Sequence, residues 1–205
     1  MSISKRSFKG IYVLYIKAFF DFLAALISIL LLGPLLLTVF VILYFHFSKN
    51  PIFKQNRIGK NGKPFMLLKF RTFRIDDNYN SISGLGGFLR RTSIDELPQL
   101  LNILAGKMSF IGPRPLLPEY KEFYSATEWK RHEVKPGLTG HAQIKLGSSP
   151  DWEARFNCDL EYIHRISFLF DLSIALRTIL FLLSKNNNLN ANEEVARFDQ
   201  YVKNK

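Results

Sequence analysis

The chain has 205 residues and a formal net charge of +11, with 28 Lys/Arg, 17 Asp/Glu and one cysteine. That length allows one ordinary domain with attachments. A single cysteine, Cys158, excludes an intramolecular disulfide, no Cys/His spacing fits zinc, and the setting this implies is reducing and cytoplasmic. The charge is uneven: residues 1–74 carry twelve basic side chains and one acid, Asp21, while the rest balances at sixteen of each. The excess brackets an apolar stretch rather than an aromatic-laced patch, which favours anionic lipid headgroups over nucleic acid as the partner.

That stretch, Phe22 to Phe47, is apolar apart from Ser28, Thr38 and His46. As one straight helix it would reach roughly 39 Å at ~1.5 Å per residue, against ~30 Å for a bilayer core. Gly33-Pro34 falls in its middle, where proline deletes a backbone hydrogen bond and kinks the helix. Lys5, Arg6, Lys9 and Lys17 precede the run, and Lys49, Lys54, Arg57, Lys60 and Lys63 follow it. Cytoplasmic flanks attract Lys and Arg. A helix broken at Gly33 and Pro34 that re-enters the same side satisfies this rule at both ends, and a spanning helix breaks it at one. The run is too long for a cleavable signal peptide, and no small-residue cleavage site follows it.

Residues 52–74 read as two strands, Phe53 to Ile58 and Phe65 to Phe70, joined across an Asn61-Gly62 hairpin signal. Lys69 and Arg71 fall at i and i+2 on one strand face, as a solvated edge or as phosphate ligands. Residues 75–87 are polar and glycine-rich, which predicts a mobile loop, either a lid or a plain connection.

Arg90-Arg91-Thr92-Ser93-Ile94-Asp95-Glu96 follows. Ser93 is placed to cap a helix with Glu96 as its capping-box partner. Leu97, Leu100, Leu101 and Leu104 then line one apolar face, and Gly106 stops the helix. In a first turn, exposed N–H groups favour an ionised Asp95. Adjacent carboxylates beside arginines, with Arg114 in the stiff loop Gly112-Pro113-Arg114-Pro115, point to phosphate chemistry assisted by a divalent metal. The plain alternative is a pair of ordinary helix-start acids.

Further on, Pro118 to Ser125 reads as a short helix and Thr127 as the cap of another running to His132. His132, beside Lys130-Arg131, is a phosphate-contact candidate; His46, His141 and His164 read as structural. Pro136 to Gly140 is a turn, and His141 to Ile144 a short strand. A helix from Ser149-Pro150-Asp151 carries Trp152, Phe156, Leu160 and Ile163 on one face. Ile166 to Leu183 holds Asp171 and Arg177, so it reads as an amphipathic helix lying on the membrane or against the core. The tail from Asn186 is polar.

Taken together, Lys69-Phe70-Arg71-Thr72, the segment Leu89 to Leu100, Gly106 to Pro115, Arg131-His132 and Pro136 to Gly140 resemble the bacterial sugar transferases, the monotopic phosphoglycosyl transferases, in order from about Lys17 to Leu182. The chain is similar to their minimal form, without extra spanning helices. The resemblance implies transfer of a sugar 1-phosphate from a UDP-sugar to undecaprenyl phosphate, with UMP released and Mg²⁺ required. It implies a ping-pong course in which Asp95 forms an aspartyl phosphosugar and Glu96 helps hold the metal. Lys69, Arg71, Arg90 and Arg114 would lie near the diphosphate. The place would be the bacterial inner membrane, monotopic, with the site facing the cytoplasm, at the first step of capsule, O-antigen or glycoprotein glycan assembly and with downstream glycosyltransferases as further partners. The implied fold is α+β, mostly helical: a re-entrant membrane helix within residues 1–50, a catalytic domain over 51–185 with a small β-hairpin and amphipathic interfacial helices around a cytoplasmic active site, and a polar tail, 186–205. One departure matters. Where the family has Asn-Gly-Arg-Asn, this chain reads Lys145-Leu146-Gly147-Ser148. The family's arginine is absent, and Lys145 is the candidate substitute, without the bidentate fork. The competing readings are a non-catalytic membrane scaffold and a metal-dependent phosphohydrolase.

Overall fold

The computed structural model describes residues 10–47, 50–76, 79–147, 149, 151–183 and 201. Lys5, Arg6, Lys9, Lys49 and the tail from Asn186, apart from Tyr201, lie outside the described residues. The architecture is α+β and mostly helical, with a long apolar N-terminal helix.

A π-helical turn, Tyr12–Ile16, leads into α1, Lys17–Phe47. The expected break at Gly33 and Pro34 is not a break: the helix runs through with Pro34 inside it. Proline costs about 3 kcal/mol in a helix interior, but the apolar runs on both sides propagate helix up to it. The Thr38 hydroxyl donates to the Pro34 carbonyl at 2.8 Å, a back-bond of the kind that bends helices without ending them. Lys17, Asp21, Ala25, Val39 and Leu43 form one buried stripe. Most of the remaining surface is exposed and apolar, including Phe19, Leu30, Leu31, Leu37 and Phe45. With the preceding turn, Tyr12–Phe47 is long and apolar enough to cross a membrane.

Strands β1, Ile52–Ile58, and β2, Pro64–Phe70, form the expected antiparallel hairpin, with Ile52 opposite Phe70 and Ile58 opposite Pro64. Asn61 and Gly62 both take positive φ at its turn, as an Asn-Gly pair favours. Phe65 and Leu67 point inward, and the period of two carries Lys69 to the same face.

Where the sequence predicts a loop over residues 75–87, the described residues form two strands and a helix start. β3, Phe73–Asp76, pairs antiparallel with β4, Tyr79–Ile82. The helix α2, Gly84–Arg91, follows, capped by the Ser83 hydroxyl, which accepts the Gly86 N–H at 2.9 Å. The glycine there serves packing: a Cβ on Gly86 would stand 1.9 Å from the Thr72 carbonyl oxygen.

After α2 the chain turns sharply. Ser93 is left-handed, at φ 58 and ψ 15, and caps nothing with its side chain, so the capping box does not form. A 3-10 turn, Ile94–Glu96, precedes α3, Gln99–Leu104. Leu100 and Ile103 of α3 are buried, but Leu101 is half exposed, so the apolar face is not the one expected. Gln99 is buried too, and the other buried polar member is Asn102. Its Oδ1 accepts the Leu68 N–H at 3.0 Å and its Nδ2 donates to the Met66 carbonyl at 2.8 Å, tying α3 to β2.

β5, Ser109–Ile111, pairs in parallel with β6, Gly137–Thr139. Between them lie two 3-10 segments, Pro118–Phe123 and Glu128–Glu133. The strand expected at His141 to Ile144 is helical: α4 spans His141–Leu146 and starts from an extended Gly140. Four residues are too few for strand alternation to be told from a helical turn. α5, Trp152–Arg165, is capped by Asp151, and α6 spans Phe168–Leu183.

The stripe of α1 touches the body of the protein along its length. Tyr12 packs with Ile111, Tyr162 and Ile174; Ala25 with Phe65, Leu100 and Met108; Val39 and Leu43 with Phe70 and Leu89. Its charges are answered from the same side. Lys17 pairs with Asp171 at 2.9 Å, and Asp21 Oδ1 accepts the Phe110 N–H at 3.1 Å. Asp171 also accepts from the hydroxyls of Tyr12 at 2.6 Å and Tyr162 at 2.8 Å, which explains an acid in a mostly apolar helix.

Candidate active site

Asp95 and Glu96 sit on the 3-10 turn at the floor of a cleft of about 510 Å³. β2 brings Lys69 to it, α2 brings Arg90, and the loop after β5 brings Arg114. Glu96 holds two of these cations through one oxygen: Oε1 lies 2.7 Å from Lys69 Nζ and 2.8 Å from Arg114 Nη2. Burial pushes the Glu96 carboxyl up, but Arg114 and Lys69 outweigh it and hold the group well below the usual range. Burial lowers Lys69, with Glu96 opposing.

Asp95 is only 7% exposed. Burial pushes its carboxyl up to about 6, against the pull of Lys69 and with a further push from Glu96. The expectation that a helix start keeps it ionised is therefore corrected in degree: desolvation outweighs the N-terminal N–H groups, and Asp95 titrates just below neutrality. Above pH 6 it is a carboxylate without a tight ion pair among the described residues, which suits a nucleophile.

Arg90 Nε donates to the Thr72 hydroxyl at 2.8 Å on the cleft wall. Arg71 is not on that wall. Its Nε donates to the Asn50 carbonyl at 3.0 Å, and its guanidinium lies over the Phe73 ring, because β2 ends at Phe70 and the strand alternation stops with it. His132 is also elsewhere. It is buried against Tyr124 and Trp129, and burial followed by Arg131 pushes its imidazole down to about 3, so it is a neutral core ring. Lys145 points into a different cavity and pairs with Glu161 at 3.3 Å. The helical turn of α4 takes it away from the acids.

Three contributors were not read from the sequence. Arg57 follows from the alternation Phe53, Gln55, Arg57 on β1, all three of which wall the cleft. Gln143 reaches the cleft from α4. Arg131 acts at one remove: its Nε and Nη2 grip Asp159 Oδ2 at 2.9 and 2.7 Å, and Nη2 also donates to the Arg114 carbonyl at 2.8 Å, fixing the loop that presents Arg114. No sequence spacing announces that pair, which joins residues 28 positions apart.

A divalent cation fits this donor set in one way. Among the described residues no cluster of three acid, histidine or cysteine groups exists. Two adjacent carboxylates do exist, and both cations on Glu96 use Oε1, which leaves Oε2. Mg²⁺ is usually held by one or two carboxylates together with substrate phosphates rather than by a full protein cage.

A buried aspartate and a half-buried glutamate ringed by cations, on a body carrying a long apolar helix, make a cleft suited to anions. Comparison with known proteins is specific: residues 12–185 match the bacterial sugar transferase family, and the chain belongs to it. It is 40% identical over 174 residues to the sugar transferase EpsL of Bacillus subtilis, covering 80% of this chain and 85% of that protein. It is 35% identical to the exopolysaccharide production protein ExoY of Rhizobium meliloti, covering 80% and 83%. It is also 35% identical to a UDP-glucose:undecaprenyl-phosphate glucose-1-phosphate transferase of Xanthomonas campestris, over 85% of this chain but 40% of that longer protein.

Proposed function

We propose that the protein transfers a sugar 1-phosphate from a UDP-sugar to undecaprenyl phosphate at the cytoplasmic face of the bacterial inner membrane, as an early step of polysaccharide or glycoconjugate assembly. The observation that carries this is Asp95, buried in a cleft with Lys69, Arg90 and Arg114 and without an ion pair within 4 Å among the described residues. Its carboxylate oxygen forms a bond to the β-phosphorus of the donor while the bond from that phosphorus to the bridging oxygen breaks, and UMP departs with that oxygen. A phosphate oxygen of the acceptor then displaces Asp95 from phosphorus and leaves a sugar joined to the lipid through a diphosphate. Lys69, Arg90 and Arg114 hold the phosphoryl oxygens as charge shifts between them. Glu96 keeps Lys69 and Arg114 in place. Asp95 and Glu96 would hold Mg²⁺, which when bound neutralises charge on the phosphates.

The membrane arrangement has its own support. Lys17 and Leu43 are separated by roughly 39 Å of helix at ~1.5 Å per residue, yet both pack against the same body. A helix crossing a bilayer would carry one end away from that body. A helix bent at Pro34 and immersed from one side keeps both ends on it, so we favour the re-entrant, monotopic arrangement. An apolar groove of about 360 Å³ between α1 and Leu97, Pro98 and Leu101 opens beside the acid turn, on the side a lipid acceptor would approach.

The test is UMP release from a panel of UDP-sugars with detergent-solubilised protein, Mg²⁺ and undecaprenyl phosphate, together with intact-mass detection of a phosphosugar on the protein. Acceptor-dependent UMP, with both signals lost in Asp95→Asn, supports the reading. UMP formed without any phosphosugar reaching lipid indicates a hydrolase.

A further inference from the structure

A cavity of about 570 Å³ lies between α4, α5 and α6 and shares no lining residue with the acid cleft. Lys145 comes to it from α4, Arg165 from α5 and Arg177 from α6, and Glu161 is the one acid among its lining residues. That carboxylate is already engaged. Its Oε1 lies 2.7 Å from Arg165 Nη1, and its Oε2 lies 3.3 Å from Lys145 Nζ and 3.0 Å from His141 Nε2. Arg177 has no hydrogen bond or ion pair among the described residues, and neither has the hydroxyl of Ser173, one turn before it. Three permanent cations therefore face a single carboxylate, an excess of two positive charges. Arg165 also lies over the Phe170 ring, 4.8 Å from its centroid, so one of the cations is held in place before any ligand arrives.

The cavity opens beside apolar surface. On α6, Leu169, Ser173 and Arg177 stand four residues apart and form one row along the cavity. Leu172, Leu176 and Leu180 form the next row, and all three are exposed. At the start of the helix, Phe168 meets Phe20 of α1 with ring centroids 6.3 Å apart, so this apolar face continues onto the exposed face of α1. A soluble anion would answer the cations and leave the leucine row bare. A second copy of the same face would bring its own excess of positive charge against this one. A molecule with an anionic head and an apolar tail answers both rows at once. An arginine at such a boundary lays its stem along the apolar surface and keeps its guanidinium in the polar layer.

We infer that this cavity binds the headgroup of an anionic phospholipid such as phosphatidylglycerol, with the phosphate between Lys145, Arg165 and Arg177, the Ser173 hydroxyl donating to it, and the acyl chains over Leu172, Leu176 and Leu180. The inference rests on the immersion of α1 and not on the chemistry at Asp95. It gives Lys145 a ligand other than the nucleotide donor. It also couples lipid to the acid cleft, because α4 carries Lys145 into this cavity and Gln143 into that cleft.

The test is native mass spectrometry of the full chain in a neutral detergent, titrated with dioleoyl-phosphatidylglycerol, dioleoyl-phosphatidylcholine or glycerol 1-phosphate. Phosphatidylglycerol is expected to bind at least fivefold tighter than phosphatidylcholine, and glycerol 1-phosphate at least tenfold more weakly than phosphatidylglycerol. Arg177→Gln should weaken phosphatidylglycerol about fivefold, the contribution of one basic side chain at an anionic headgroup layer, and Arg177→Lys should retain most of the affinity. Lys130→Gln, which removes the same charge from an exposed position that does not line the cavity, should change nothing. Phosphatidylglycerol affinity unchanged in Arg177→Gln, or lowered equally in Lys130→Gln, would overturn the assignment. Glycerol 1-phosphate bound as tightly as the phospholipid would mark a soluble-anion site and overturn it too. Either result leaves the immersion of α1 standing, whereas a native chain that floats with neither phosphatidylcholine nor phosphatidylglycerol vesicles would overturn both.

Discussion

Replacing Asp95 with Asn should make the ligand-free protein more stable at neutral pH while abolishing turnover. Burial lifts the Asp95 carboxyl from an ordinary 3.8 to about 6, a gap of about two units. Each unit is worth 1.36 kcal/mol, so keeping the carboxylate ionised in the fold costs about 3 kcal/mol once the pH exceeds both values. The sign follows from the raised folded value. Below pH 4 the group is protonated, folded or unfolded, and its contribution is intact. Between pH 4 and 6 the unfolded chain sheds the proton first, and stability falls until the folded carboxyl has also ionised. Asparagine has no such charge, so the two proteins should melt alike near pH 4 and separate by about 3 kcal/mol at pH 7, or roughly 6–12 °C for a chain of this size. Thermal unfolding in one detergent with a chelator present, followed from pH 4 to 7.5, measures this. An equal offset at both ends of that range, or an Asn variant that melts lower at pH 7, would refute the claim that Asp95 is held at a cost. The same titration governs rate: formation of the phosphosugar should fall about tenfold per pH unit below pH 6.

Asn102→Leu frees the Leu68 N–H and the Met66 carbonyl on the edge of β2 and should cost about 2–4 kcal/mol in chemical unfolding, with activity falling as α3 loses its seat under the acid turn. Arg131→Met leaves Asp159 buried and unpaired and should cost about 3–5 kcal/mol, whereas the double variant Arg131→Met with Asp159→Leu should recover most of that loss; a double variant as unstable as the single one would show that the packing around the pair, not the stranded charge, sets the cost. Leu30→Glu with Leu31→Glu alters two of the most exposed positions of α1 and should leave the melting temperature in detergent unchanged while sharply reducing flotation with phosphatidylglycerol vesicles. Unchanged flotation would mean that this face is not the lipid contact.

The sequence announced some of these features and concealed others for definable reasons. The β1–β2 hairpin was legible because alternation and the Asn61-Gly62 turn say the same thing. Lys69, Asp95, Glu96 and Arg114 converge; acids beside arginines already pointed to phosphate chemistry, with ordinary helix-start acids as the alternative, and the family resemblance decided between the two and drew Lys69 to the same place. Arg71, His132 and Lys145 carried the right chemistry on the wrong side of the backbone, since a basic residue near a motif does not reveal the direction of its side chain. Arg57 was recoverable from the period of two along β1. The glycines of α2 misled because glycine permits both a turn and a close approach, and only the position of Thr72 distinguishes them. Ser93 misled because its left-handed backbone turns its hydroxyl away from the capping position. The stripe on α1 is not legible in the sequence, where Lys17 is a flanking charge and Asp21 a lone acid, because their partners stand far away in the chain.

That distance has a consequence for how the protein is made. Lys17 meets Asp171 only after the ribosome has added 154 more residues, about 8–30 s at ~5–20 residues per second. Phe110, whose amide engages Asp21, arrives earlier but still long after α1 has emerged. From the completion of α1 until Phe110 is made, most of the helix surface is apolar and its charged edge has nothing to face. The final seating of α1 is therefore a late event in biosynthesis, and a nascent chain cut short before Asp171 lacks the ion pair at the start of its own first helix.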